Sequence, residues 1–259
     1  MLILLPPSEG KSEPRRGKRL DLAHLDFSGL ITAREEMLAA LVGLCSTDDL
    51  AAAATLGLGT TQIDQVALNA GLRSAPTSRA DRIYTGVLYD ALDLTGLDAT
   101  SRSRATRWLA ITSSLFGLVR PSDPIPAYRL SGDVTLPGLG GVGAHWRRHL
   151  DPVVREAMGA GLLIDLRSTT YAAFWRPAPD LASRVATLRV LHQVGDQRKV
   201  VSHFNKATKG RIVRDLLVSG VRPRSPKALA DHLTELGWTV ESQAPGKNGQ
   251  QLDVIVSEL

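Results

Sequence analysis

Apolar and polar positions along the chain alternate between strand and helix periods. Residues 1–5 (MLILL) form a continuous apolar run, the pattern of a strand buried on both faces. The next stretch, PPSEGKSEPRRGK, is rich in proline, glycine and charge and reads as a loop. Helical spacing covers 22–44, and Ser46-Thr47-Asp48-Asp49 starts a second helix. That helix breaks at Leu56-Gly57-Leu58-Gly59, after which Thr60 or Thr61 would cap a third through Asn69. Residues 73–89 read as loop and then amphipathic segment, and 102–111 as a helix with Trp108 on its apolar side. Three prolines force a stiff, extended path between Arg120 and Arg129. Residues 161–167 form a second buried strand, interrupted by Asp165. Residues 184–194 and 198–204 predict a hairpin turning at Gly195-Asp196-Gln197. The tail adds a helix at 226–236 and strands at 238–241 and 251–256, close enough to pair antiparallel. The reading is a mixed α/β (α+β) fold, a central mixed sheet with surrounding helices, in one domain spanning 1–259. Within it, 46–71 form a possible helix-hairpin-helix, a module in which glycine amides and a helix N-terminus hold a DNA phosphate.

The stretch 200–217 (VVSHFNKATKGRIVRDLL) carries the most pointed signal. Its β-branched start reads as a strand that turns helical after Asn205. On a helical wheel Ile212, Val213, Leu216 and Leu217 form the apolar stripe, with Arg211 and Arg214 on the solvated side. Lys206 and Lys209 fall within the stripe at its N-terminal end. An inward lysine costs desolvation energy unless an anion meets it, and Gly210 beside it would admit a close backbone or ligand.

Charge sharpens this picture. The chain has 259 residues and a formal net charge of +5, but its bases are segregated. Residues 198–227 hold nine Lys or Arg against one acid, Asp215. Residues 11–19 hold five bases against Glu13, and 102–129 five against Asp123, so the remainder is net acidic. Three such segments on one face would form a footprint for nucleic acid or another polyphosphate. A single cysteine, Cys45, excludes an internal disulfide framework and a cysteine-rich zinc site. The short N-terminal apolar run, with no basic residue before it, predicts a cytoplasmic protein without a membrane segment.

Local motifs identify no catalyst and no cofactor. Lys11 and Ser12 after Gly10 resemble the end of a phosphate-binding loop, but position 5 is Leu5 where a glycine is required. Gly138, Gly140 and Gly143 match a dinucleotide-binding spacing, yet the preceding strand is short and ends in proline. His145 and His149 have helical ligand spacing without a carboxylate close in sequence, so they read as structural helix-surface histidines and no metal is expected.

The segments MLILLPPSEGKS, APTSRADRIYTGVLYDAL, SLFGLVRPSDPIPAYRL, LLIDLRSTTYAAFW and VVSHFNKATKGRIVRDLL together resemble the YaaA family, the peroxide-stress proteins of bacteria. The resemblance implies a mixed α/β fold with a basic cleft and a helix-hairpin-helix, DNA binding, and protection of DNA by lowering free iron. It points to Tyr84, Gly86, Gly117, Arg120, Pro121, Tyr128, Arg129, Ser168, Tyr171, Lys206, Lys209, Gly210 and Arg211. Two functional classes follow. The first is sequence-nonspecific binding of duplex or distorted DNA, with Lys11, Arg15, Arg16, Arg120, Arg129, Lys206, Lys209 and Arg211 on phosphates and Gly57 and Gly59 in the hairpin. The second is an enzyme acting on a nucleotide or other small anion, in a pocket lined by Lys206, Lys209, Arg120, Arg129 and Asp165 with Ser8, Tyr128, Ser168 and Tyr171, the arginines serving as anion clamps. The two differ in whether these side chains converge on a narrow cavity or line an open groove.

Overall fold

A computed structural model describes residues 1–195, 197–199 and 201–257. Its elements in chain order begin with β1 (Leu2–Leu5), then α1 (Ile31–Cys45), α2 (Asp49–Leu56) and α3 (Asp64–Ala70). Next come β2 (Ser78–Arg79), α4 (Ala80–Ile83), α5 (Val87–Leu92), α6 (Ala99–Trp108), β3 (Leu109–Ser113), β4 (Gly117–Val119) and β5 (Pro124–Ile125). They are followed by β6 (Thr135–Leu136), β7 (Gly140–Gly141), α7 (Val142–Met158), β8 (Leu163–Asp165) and α8 (Thr169–Ala172). The chain ends with β9 (Val185–Val194), β10 (Gln197–Lys199), α9 (Ser202–Ser219), α10 (Pro226–Glu235), β11 (Thr239–Ser242) and β12 (Gln250–Val256).

The expected central mixed sheet is present, with eight strands in the order β11-β12-β9-β8-β1-β3-β4 and β10 on β9. Strands β12, β9, β8, β1 and β3 run parallel, while β4, β10 and β11 pair antiparallel at the margins. The apolar run at the N-terminus is the reason for this centre. Leu2, Ile3, Leu4 and Leu5 are fully buried, which requires cover on both faces and strands on both sides. From β1 the chain passes to β3 on one side, and β8 then returns on the other. Strand order therefore reverses at β1, and the loops after β1 and β8 diverge at one edge, where ligands collect in open α/β sheets.

Helix α9 crosses the sheet from that carboxyl edge to the amino edge and packs on α5. A Cβ at Gly210 would lie 2.3 Å from the Leu88 carbonyl oxygen and 3.0 Å from the Leu92 amide nitrogen. The glycine thus serves a close approach between α5 and α9 rather than a ligand.

Several local expectations are corrected. Residues 202–204 are helical, so the second hairpin strand ends at Lys199; Asp196 of the turn and Val200 of the approach lie outside the described residues. Residues 109–111 belong to β3 and not to the preceding helix, because the apolar run Leu109–Ile111 pairs with β1. Neither Thr60 nor Thr61 caps α3; the turn is closed at Gly59, whose amide donates to Gln62 Oε1 at 3.4 Å. Gly138, Gly140 and Gly141 form the β6–β7 hairpin ahead of α7, and Gly143 lies in the first turn of α7 itself. No described helix is long and apolar enough to cross a membrane.

Gly210→Ala is expected to cost about 1–3 kcal/mol through overpacking against backbone atoms that cannot step aside. At this size that lowers the thermal midpoint by roughly several degrees. An unchanged midpoint in thermal denaturation would contradict the close packing of α5 on α9.

Candidate functional site

The loop that leaves β1 turns back across the carboxyl edge of the sheet. Ser8 Oγ donates to the Gly10 carbonyl at 2.6 Å and accepts the Thr85 amide at 3.1 Å, latching the loop to the start of α5. Lys11 and Tyr84 form an antiparallel bridge, and the Ser12 amide donates to the Ile83 carbonyl. The Lys11 side chain is thereby folded inward. Its Nζ donates to the Ser8 carbonyl at 2.8 Å and lies 4.4 Å from the centre of the Tyr128 ring and 5.7 Å from that of Tyr84. It has no carboxylate partner among the described ion pairs. Burial, with the nearby Arg129 adding repulsion against a smaller pull from Glu9, pushes its pKa from 10.5 down to about 7.

Four tyrosines make up the chain's complement, and all four gather here: Tyr84, Tyr89, Tyr128 and Tyr171. Tyr84 and Tyr128 share a hydrogen bond between hydroxyls at 3.0 Å, and Tyr128 shares another with Ser113 Oγ at 2.8 Å. Ser113 Oγ also accepts the Phe116 amide, which anchors the relay to the end of β3. Tyr89 stacks on Tyr84 with ring centres 5.7 Å apart and donates to the Pro6 carbonyl. Tyr171 reaches Ser114 Oγ at 3.4 Å. Burial raises the pKa of every one of these phenols, so each stays protonated and serves as a donor at neutral pH.

The third wall follows β8. Asp165 accepts two hydrogen bonds from the Arg167 guanidinium, at 2.9 and 2.7 Å, and one from the Arg167 amide at 3.0 Å. Arg167 in turn donates to the Tyr171 and Trp175 carbonyls, so one buried ion pair shapes the whole loop from 165 to 175. Burial alone would raise the Asp165 pKa, but Arg167 and, more weakly, Lys209 hold it below the usual carboxylate value. Lys209 Nζ donates to the Leu166 carbonyl at 3.0 Å, and burial lowers its pKa despite the pull of Asp165.

The edge thus collects Ser8, Lys11, Tyr128, Asp165, Tyr171 and Lys209. Arg129 joins at the rim, donating weakly to the Glu9 carbonyl, and is clamped through its backbone to both amide atoms of the Asn69 side chain in α3. Ser168 is exposed at the mouth, just ahead of α8. Arg120 does not join. It donates to the Arg107 and Leu109 carbonyls and stacks over Phe27, at the amino end of β3. Arg104, Arg107 and Arg222 lie at the same far edge, around a hollow beside Met1. The basic segments are therefore divided between two edges of the sheet.

Two of the helix α9 assignments also change. Lys206 is exposed to solvent, whereas Lys209, on the same stripe, folds inward onto the Leu166 carbonyl. Arg214 is not a free surface cation. It donates to the Leu92, Asp93 and Gly96 carbonyls and pairs with the Asp93 carboxylate at 3.2 Å, tying α9 to the end of α5.

Sequence reading overlooked Ser113, Ser114, Tyr89 and Asn69. Their signal was present in ITSSLF, where polar residues follow an apolar strand, and in the small number of tyrosines spread over distant segments. His145 was also misplaced. It is fully buried between α7 and α1, where its Nε2 meets the Ala33 carbonyl at 3.0 Å. The Glu36 carboxylate approaches it from α1, a contact that helix spacing within 145–149 could not reveal.

A protein-family model described as "Peroxide stress protein YaaA" matches residues 1–244 of the chain. A UPF0246 protein of Streptomyces coelicolor is 52% identical over 261 residues, covering the whole of both chains. One from Corynebacterium efficiens is 41% identical over 244 residues, covering 93% of this chain and 95% of its own. One from Bacteroides thetaiotaomicron is 39% identical over 140 residues, about half of each chain (52% and 54%).

Asp165→Asn leaves the Arg167 guanidinium buried without a counter-charge and is expected to destabilise the protein by about 3–5 kcal/mol at neutral pH. Because the Asp165 pKa is lowered on folding, its contribution is present above the ordinary value of 3.8 and is lost as pH falls below it. Denaturant unfolding at pH 7 and at pH 3 should therefore show a large difference between the two proteins that shrinks at the lower pH. A small difference at pH 7 would contradict the anchoring role.

Proposed function

The chain belongs to the peroxide stress protein YaaA family, and on that premise we propose that it binds DNA, without sequence preference, during peroxide stress and limits iron-dependent oxidative damage to it. The carrying observation is the sorting of the basic residues. Arg73, Arg79, Arg155, Arg189, Arg198 and Lys227 each meet a carboxylate. Arg15, Arg16, Lys18, Arg19, Lys206 and Arg211 are exposed and, among the described residues, have neither an ion pair nor a side-chain hydrogen bond. Unneutralised cations of this kind release counterions when they meet phosphates, and that release drives nonspecific DNA binding.

Arg15 and Arg16 lie on the segment that runs antiparallel beside 76–84, tied at Lys11–Tyr84 and Arg19–Pro76. Lys206 and Arg211 lie on the sheet-edge half of α9, and Arg129 stands at the rim. In this reading these residues form the basic cleft. The hairpin at Gly57 and Gly59 supplies a backbone contact at most, since no Lys or Arg occurs between Cys45 and Leu72. Lys11 and Lys209 are left out of the phosphate set, because both are held inward by carbonyl oxygens.

Lys11 favours a second reading, an enzyme on a small anionic molecule. A lysine with a pKa near 7 is half neutral at physiological pH and can act as a base or nucleophile, which nonspecific DNA binding does not need. Tyrosine hydroxyls beside it would orient a carboxylate or phosphate.

Duplex affinity is expected to fall steeply between low and moderate salt. Arg15→Ala/Arg16→Ala should reduce the magnitude of the slope of log affinity against log salt by about two units, at roughly 0.9 per phosphate contact. Lys11→Met should leave that slope unchanged. Absent or salt-independent binding would overturn the DNA reading. Thermal stabilisation by nucleotides that disappears in Lys11→Met would establish the second one.

A further inference from the structure

Helices α1 and α7 bring together three groups that the edge site does not use. His145 and His149 are four residues apart on α7, and Glu36 faces them from α1. One ligand-type atom from each lies within 4.8 Å of the others. Exposed acids near histidines are common, so the decisive feature is the state of His145. Its side chain is fully buried, and its Nε2 lies 3.0 Å from the Ala33 carbonyl, which can only accept a hydrogen bond. The proton is therefore on Nε2, and Nδ1 presents a bare lone pair. That Nδ1 has no hydrogen-bond partner, and it faces Glu36 Oε2 at 3.9 Å.

A buried, unpartnered acceptor is costly, on the order of 1–3 kcal/mol, and such atoms call for an explanation. A hydrogen bond from the second ring nitrogen to a backbone carbonyl is the arrangement that fixes tautomer and orientation in metal-ligating histidines.

We propose that Glu36, His145 and His149 form a binding site for a divalent first-row transition ion, Zn²⁺ or Fe²⁺. Two imidazoles and one carboxylate suit these ions and not Ca²⁺ or Mg²⁺, which take oxygen ligands. Ligands about 2.1 Å from a tetrahedral ion stand roughly 3.4 Å apart, so the site must contract. Glu36 is exposed and His149 half-buried, which leaves both free to close on the fixed Nδ1. Three protein ligands leave coordination positions open for water or a small molecule. Arg148 is the charge that opposes the ion, and Glu36 offsets it.

The test uses the full chain stripped with chelator. Zn²⁺, anaerobic Fe²⁺ and Co²⁺ are titrated by calorimetry, with the visible absorption of Co²⁺ reporting its ligands. One ion per chain is expected, raising the thermal midpoint, with Ca²⁺ and Mg²⁺ inert. His149→Ala and Glu36→Gln should each weaken affinity at least tenfold while leaving the metal-free midpoint unchanged, since neither residue is part of the packed core. His145 itself is too deeply buried to substitute cleanly. No binding up to millimolar ion, an equal response to Mg²⁺, or binding unaffected by both substitutions would each overturn the proposal.

Discussion

The structure is arranged around the complete burial of β1. Four consecutive apolar residues with no exposed face can be satisfied only between two neighbouring strands and beneath helices on both sides. That constraint makes β1 the axis at which strand order reverses. It also drives the polar residues out of the sheet and into the turns that follow β1, β3 and β8. The carboxyl edge is consequently the place where a serine latch, a lysine, a tyrosine cluster and a buried ion pair can coexist. Each is attached to the end of a strand that cannot move without disturbing the core.

The charges divide according to how far they are buried. Arg167 and Asp165 are spent on one another and on the 165–175 loop, and Arg214 is spent on the end of α5. Lys11 and Lys209 are held by carbonyl oxygens and feel the low dielectric more than any counter-ion, which lowers their proton affinity. Exposed cations with neither an ion pair nor a side-chain hydrogen bond among the described residues include Arg15, Arg16, Lys18 and Arg19 and, on the outer face of α9, Lys206 and Arg211, with others such as Arg82, Arg148, Arg176, Arg224 and Lys247 elsewhere on the surface. A small-molecule chemistry and a polyanion surface can therefore neighbour one another at one edge, with different residues serving each. The far edge carries its own cations, Arg104, Arg107, Arg120 and Arg222, some of which are engaged with backbone carbonyls.

Those features governed by short-range pattern were legible in the chain. The run 1–5, the strand at Leu163–Asp165, the helix start at Asp48 and the final antiparallel pair all follow from local spacing and capping. Lys209 was read as inward from its wheel position, and it is. Lys206 shares that stripe by spacing yet faces solvent, because a wheel gives a side chain's direction but not whether another element packs against that turn. What could not be read were pairings across long separations. Asn69 clamps the backbone of Arg129, Arg34 is buried against the Phe116 and Leu118 carbonyls, and Glu36 meets His145. Each partner alone looks ordinary; only the fold places them together. Arg120 shows the converse, a residue with a promising sequence neighbourhood that the sheet carries to its opposite edge.

Lys11 sits half-buried among tyrosines at the carboxyl edge, poised between charged and neutral forms at physiological pH. The direct measurement is an NMR titration of the lysine side chains in the intact protein, with Lys11 assigned by comparison with Lys11→Met. The account predicts one resonance titrating with a midpoint near pH 7, absent from the variant. If the Lys11 resonance instead titrates near its ordinary value of 10.5, the burial that organises this edge is contradicted.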